Sequence, residues 1–225
     1  MTTVRRHFDQ ELRQLEQDVL KLGSFVEAMV AEAMRALVNQ DRDLADEVTR
    51  KDDIADDLDL AVEQNSMRLL ALQQPMARDL RTIGTALKVI ADLERIGDYA
   101  VDIARAAKVL CDEPFFKPLE DIPRMAELTQ RMLRDALKAF VQHDVDLAER
   151  VCEDDDAVDK LWYSLLDELM SFMRKNPDLV GQATYLLLVA RYLERVADHT
   201  TNVAERIYYM ETGQLKQLVA SHRGL

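Results

Sequence analysis

Glycine and proline are scarce in this chain, 6 and 5 among 225 residues, and a disordered chain is excluded because apolar residues make up 48%. Cysteine is scarcer still. Cys111 and Cys152 stand alone, with neither metal-ligand spacing nor a disulfide framework around them, which suits a reducing compartment and small filler roles. Positive charge is in deficit, with 29 Lys and Arg against 42 Asp and Glu, a net charge of −13 and a pI of about 4.8. That balance argues against general affinity for nucleic acid or anionic lipid, since phosphate binding rests on Lys and Arg. Cations and basic protein faces are the expected partners. Long apolar runs are missing too: the longest, LVGQATYLLLVA from Leu179 to Ala190, falls short of the about 20 residues a spanning helix needs. The opening MTTVRRHFDQELRQL has no apolar stretch of the signal-peptide kind, and the expected compartment is the cytoplasm. Asn-Gly and Asp-Gly hairpin signals are absent, as is sustained period-two alternation, so no sheet is expected.

What is present is helical pattern, written twice. DLERIGDYAVD (92–102) and YLERVADHTTN (192–202) share Leu, Glu, Arg and Asp at an offset of 100 residues. ALVNQDRDLADEVTRKDDIADDL (36–58) aligns with AFVQHDVDLAERVCEDDDAVDKL (139–161) at an offset of 103. A repeat of this length is a duplicated domain and not a solenoid unit. Three of the five prolines fall in CDEPFFKPLEDIP (111–123), which reads as a linker between residues 1–110 and 124–225. Pro75 and Pro177 mark turns at matching places. The pattern predicts all-α architecture, two tandem pseudo-symmetric three-helix bundles with six long helices over 5–39, 42–73, 76–110, 124–142, 145–175 and 178–212. Asp41 and Asp144 are natural N-caps for the second helix of each half.

At about 100° per residue, Glu94 lies within about 20° of Ile83 on the stripe Ile83/Leu87/Ile90/Val101, with Asp98 one turn on. Glu194 and Asp198 repeat this beside Leu187, Ala190 and Thr201. A second stripe, Val89/Ile96/Ile103 and Val189/Val196/Val203, fits a neighbouring helix or the other half. The second helices carry Asp52 and Asp56, then Asp155 and Asp159, flanking the stripes Leu44/Val48/Ala55/Val62 and Leu147/Val151/Val158/Leu165. A single i,i+4 acidic pair is most often solvated surface. Four carboxylates meeting at a helix interface need protons or cations to neutralise them. Oxygen-only donors suit magnesium, manganese, calcium or ferric iron, and accept zinc. Glu32 and Asp135, matched on the first helices, are further candidates; Arg95, Arg195 and His199 adjoin the motif. A ferritin-like di-iron redox protein would carry Glu-x-x-His, and no Glu here has His three residues on. A metal-free scaffold docking basic partners is the other alternative. The chain has no recognisable nucleophile motif or phosphate loop.

These two halves, with E/D-x-x-x-D pairs and a LERIGD or LERVAD helix after a PMARDLR turn (Pro75 to Arg81), resemble the PhoU family of phosphate-transport regulators. The resemblance implies two packed three-helix bundles in a cytoplasmic homodimer or higher oligomer. It implies a non-enzymatic negative regulator linking the phosphate ABC transporter ATPase to a sensor histidine kinase, peripheral to the membrane only through those partners. It also implies metal clusters, of iron, zinc, manganese or magnesium and possibly multinuclear. Their ligands would be Asp52, Asp56, Glu94, Asp98 and Asp102 in the first half and Asp155, Asp159, Glu194 and Asp198 in the second. Asn202 stands opposite Asp102, so the two clusters need not be alike.

Overall fold

In the computed structural model, which describes residues 3–218, the runs of helical periodicity become helices. They are α1 (Thr3–Asn39), α2 (Arg42–Arg50), α3 (Asp52–Gln73), α4 (Arg78–Leu110), α5 (Asp121–Gln142), α6 (Val145–Lys175) and α7 (Val180–Thr212). No strand occurs among the described residues.

Local chemistry sets the ends. The Asp41 carboxylate accepts from the Leu44 amide at 3.0 Å and Asp144 accepts from Leu147 at 2.9 Å, so both expected N-caps form. The residues just before them, Gln40 and His143, take left-handed backbone at φ 51° and 54°. The same turn is thus made twice, by two non-glycine residues, at the repeat offset of 103. Pro177 opens a 3-10 turn, Pro177–Leu179, capped by Asn176, whose Oδ1 accepts from the Asp178 amide at 3.1 Å. The third helices therefore begin at Arg78 and Val180, two residues later than the prolines suggest.

Other features also differ from the sequence reading. The helix expected over 42–73 is interrupted at Lys51, whose amide bonds back to the Val48 carbonyl at 3.0 Å while its ammonium pairs with Glu32 of α1. Its counterpart α6 runs unbroken. α5 begins at Asp121, so Pro123 falls in the first helical turn, where its missing N–H costs no bond. The connection left between α4 and α5, residues 111–120, is docked: Phe116 donates to Gln182 Oε1 at 2.8 Å and packs edge-on against Phe172 at 5.1 Å.

α4 and α7 lie side by side at the centre. α1, α2 and α3 pack on α4, α5 and α6 pack on α7, and α1 also meets α5. Val89, Ile96, Ile103, Val189, Val196 and Val203 are fully buried, so both central helices are covered on two sides. On α1 the buried positions Leu15, Val19, Leu22, Val26, Met29 and Ala33 alternate spacings of four and three, the seam of coiled-coil packing. The fold holds two helix pairs, α3/α4 and α6/α7, each carrying the carboxylates of one repeat.

Candidate metal centres

In the second half the carboxylates converge. Asp155 and Asp159 from α6 and Glu194 and Asp198 from α7 line one cleft of about 380 Å³, together with Glu205 and Thr201. Glu194 is 8% exposed and Asp155 6%, so the inward phase read from the stripe holds for Glu194. Burial, reinforced by Asp159, Asp198 and Glu194, pushes the Asp155 carboxyl up to about 7. Burial and the neighbouring Asp198 likewise push Glu194 to about 7, against the pull of Arg191. Glu194 Oε1 is met by Arg191, while its buried Oε2 has no hydrogen-bond partner. Asp198 is held by Arg195 at 2.7 Å.

The first half is the more open version. Burial and then Asp56 and Asp98 raise Asp52; burial and then Asp98 raise Glu94, with Asp56 and Asp59 adding to it. The four expected residues therefore feel one another here too. Glu94 is only half-buried and meets Arg95 at 3.5 Å; Arg95 also holds Asp98 at 2.7 Å. Asp102 is engaged elsewhere, paired with Arg105 at 3.1 Å and bearing on the Tyr192 hydroxyl of α7. Glu32 is turned to Lys51, and Asp135 is a half-buried residue of α5 that does not line the second cleft.

Sequence reasoning passed over Glu205, on the wall of the second cleft, whose Oε1 accepts from the Leu218 amide at 2.7 Å. Its signal was present, since it continues the stripe Glu194/Asp198/Thr201. His199 is no ligand candidate: its Nδ1 lies 2.9 Å from Asp92 Oδ1, which also accepts from Asn202 Nδ2 at 3.1 Å, so Asp92 joins α4 to α7. Cys152 is buried filler, its thiol pushed up to about 12 by burial and nearby carboxylates.

As the side chains stand, no group of three or more His, Cys, Asp or Glu among the described residues is poised around a single ion position. Arginines pair instead with Glu94, Asp98, Glu194 and Asp198. The donor set still fits a cation: all its atoms are hard oxygens, two of its carboxyls are driven toward neutrality by burial, and one buried oxygen lacks a partner.

The sequence model of the PhoU domain matches this chain twice, over residues 19–107 and 122–207. The chain belongs to the PhoU family. Among its relatives is a phosphate-specific transport system accessory protein PhoU homolog of Clostridium acetobutylicum, 41% identical over 211 residues, 93% of this chain and 96% of that protein. Another of the same description, from Aquifex aeolicus, is 40% identical over 91% of this chain and 93% of its own length. The crystal structure of PhoU from Pseudomonas aeruginosa superposes with a TM-score of 0.88 at 35% identity, covering 92% of this chain and all of that one. That of the phosphate transport system regulatory protein PhoU from Streptococcus pneumoniae gives 0.85 at 33% identity, with 93% and 99% covered. The all-α PhoU fold of tandem helical bundles is therefore that of this chain. No described helix is long and apolar enough to cross a membrane.

The PMARDLR turn acquires a structural role that the second half does not copy. Arg81 Nε donates to the Met210 carbonyl at 3.0 Å, Arg78 pairs with Glu211 at 3.1 Å, and Asp79 accepts two bonds from Arg5 at 2.7 and 3.2 Å. The turn fastens the start of α4 to the end of α7 and the start of α1. Family resemblance alone would have hidden this, because only Pro177 survives in the matching segment.

Proposed function

We propose that this chain is a cytoplasmic, metal-binding accessory protein of phosphate transport. It acts as a non-enzymatic negative regulator and adaptor between the phosphate ABC transporter and a sensor histidine kinase, as a homodimer or larger assembly. The observation that carries the metal part is the pair of α3/α4 and α6/α7 clefts, each gathering acidic side chains, with the buried unpartnered oxygen of Glu194 in the second. The regulatory part rests on the names of its relatives, described as accessory and regulatory proteins of that transport system.

In this reading Asp155, Asp159, Glu194 and Asp198 hold one metal centre, and Asp52, Asp56, Glu94 and Asp98 hold the other. A cation held by these residues would supply positive charge to offset their carboxylates. The chain's own residues do the rest. In the second half the i,i+4 spacing presents two carboxylates from each helix to the cleft, whereas in the first Asp56 and Glu94 line it and Asp52 and Asp98 do not. Arg95, Arg191 and Arg195 supply counter-charge when no ion is there. Binding releases the protons that burial holds on Asp155 and Glu194, so affinity rises with pH.

The test is elemental analysis of protein purified without chelator, beside the Glu94→Ala/Glu194→Ala variant. Metal that copurifies with the wild type and is lost from the variant supports the centres; no metal in the native protein, or an unchanged content in the variant, overturns them. Deletion of the gene is expected to make phosphate-starvation genes constitutive, and normal repression in the deletion strain under ample phosphate sinks the regulatory role.

A further inference from the structure

The two halves treat one place on their surfaces in opposite ways. In the second, Arg191 pairs with Glu194 and its guanidinium lies 5.7 Å from the centre of the Trp162 ring. At the repeat offsets of 103 and 100, Trp162 corresponds to Asp59, Leu166 to Glu63 and Arg191 to Ala91. The chain thus plugs the second position with its own stacked arginine and leaves the first without plug or platform. What remains is a cleft of about 380 Å³ between α3 and α4, walled by Asp56, Asp59, Glu63 and Glu94. Leu87 and Ile90 form its apolar floor beside the small Ala91. No ion pair among the described residues engages Asp56, Asp59 or Glu63.

The rim is apolar. Leu60 and Met67, 48% and 57% exposed, share the i, i+3, i+4, i+7, i+11 stripe of α3 with Asp56, Asp59 and Glu63. Across the cleft Leu80, 49% exposed, continues the α4 stripe of Leu87, Ala91 and Glu94. An acidic trough between apolar edges, running along two antiparallel helices, has the complementary pattern of one kind of surface.

We infer that the α3/α4 cleft docks an arginine-bearing amphipathic helix of a partner protein. Its guanidinium lies against Asp59 and Glu63, as Arg191 lies over Trp162 in the second half, and its apolar residues cover Leu60, Met67 and Leu80. A guanidinium fits better than an ammonium because its planar fork can meet two carboxylates while its stem lies on the apolar floor. A helix fits better than a strand because the anchors recur at helical spacing and the described residues offer no sheet edge. The inference deepens the adaptor part of the proposed function. Asp56 and Glu94 are shared with the first proposed centre, whereas Asp59, Glu63 and Ala91 belong to neither, so the docking part is tested at those three residues.

The probe is a fluorescently labelled amphipathic helical peptide of leucine and arginine, with a twin in which every arginine is glutamine, titrated into the full-length protein. The arginine peptide is expected to bind the wild type. Ala91→Arg, which restores the plug, and Asp59→Asn/Glu63→Gln are each expected to weaken it by at least about tenfold, the scale on which desolvated charge pairs act. Ala91 is an exposed helical site, so Ala91→Arg should fold normally; thermal midpoint should match the wild type in both variants, and metal content should match it in Asp59→Asn/Glu63→Gln. Equal affinity for wild type and Ala91→Arg, equal binding of the glutamine twin, displacement by spermidine at matched charge, or no binding of the arginine peptide overturns the inference. Metal-stripped wild type should still bind the peptide, so failure of the metal reading and failure of docking give different results.

Discussion

Gly23 of α1 lies under Leu137 of α5, so close that a Cβ at residue 23 would stand 2.2 Å from Leu137 Cδ2. The contact belongs to the α1–α5 crossing, which ties the first half to the second. Alanine at 23 gains about 1 kcal/mol of helix propensity but overpacks the crossing, at about 1–3 kcal/mol. Gly23→Ala is therefore expected to lower the thermal midpoint, and Leu137→Ala to cost less in that background than in the wild type. A double-mutant cycle should give a coupling of at least about 0.5 kcal/mol; strict additivity would show that the two residues do not meet.

Gly97, in the duplicated motif, predicts the opposite sign. A Cβ there meets Val26 Cγ1 at 3.4 Å and Ala55 Cβ at 3.8 Å, ordinary contacts, and its counterpart is already Ala197. Gly97→Ala is expected to stabilise by about 0.5–1 kcal/mol, read as a higher denaturant midpoint at unchanged slope.

Asp155 and Glu194 make the metal-free protein sensitive to pH. Both carboxyls are raised to about 7 in the fold, above their unfolded values near 4, so the folded state binds the extra protons. Their contribution favours folding below about pH 4 and is lost as pH climbs through 7. In chelator, Asp155→Asn/Glu194→Gln should raise the melting temperature at pH 8 by several degrees and leave it little changed at pH 4.5. A gain of equal size at both pH values would mean that titration is not the cause.

At the PMARDLR turn, Arg81→Ala removes the bond to the Met210 carbonyl. Amide exchange at the end of α7, residues 206–213, should quicken while the centre of α7 stays protected. Arg81→Lys should behave nearly as badly, because an ammonium lacks the fork that reaches the carbonyl beside Gly213.

Much of this was legible beforehand because the repeat states each rule twice. Asp41 and Asp144 announced their helices, and the Val89/Ile96/Ile103 stripe with its echo announced a second buried face on α4 and α7. The break at Lys51 was not legible: Val48, Ala55 and Val62 keep their seven-residue spacing straight through it, and a tightened turn leaves no trace in apolar periodicity. Glu94 was read as inward-facing, yet it is only half-buried because Ala91 leaves uncovered what Arg191 and Trp162 enclose beside Glu194. That difference depends on two helices at once, so comparing either helix alone could not expose it. The docked 111–120 connection escaped for a similar reason, since Gln182, its anchor, sits in an uneventful stretch of α7.

The two-sided burial of α4 and α7 means that neither half could be a self-sufficient protein. Cut free, each would present a bare Val/Ile seam to water and would have to recruit a second half to cover it, at a rate and to an extent set by concentration. Ten residues of connection, docked by Phe116 and Gln182, make that recruitment a property of one molecule. The spacing between the two acidic clefts is thereby the same in a dilute cell as in a crowded one, and a partner that reads both reads a ruler of fixed length.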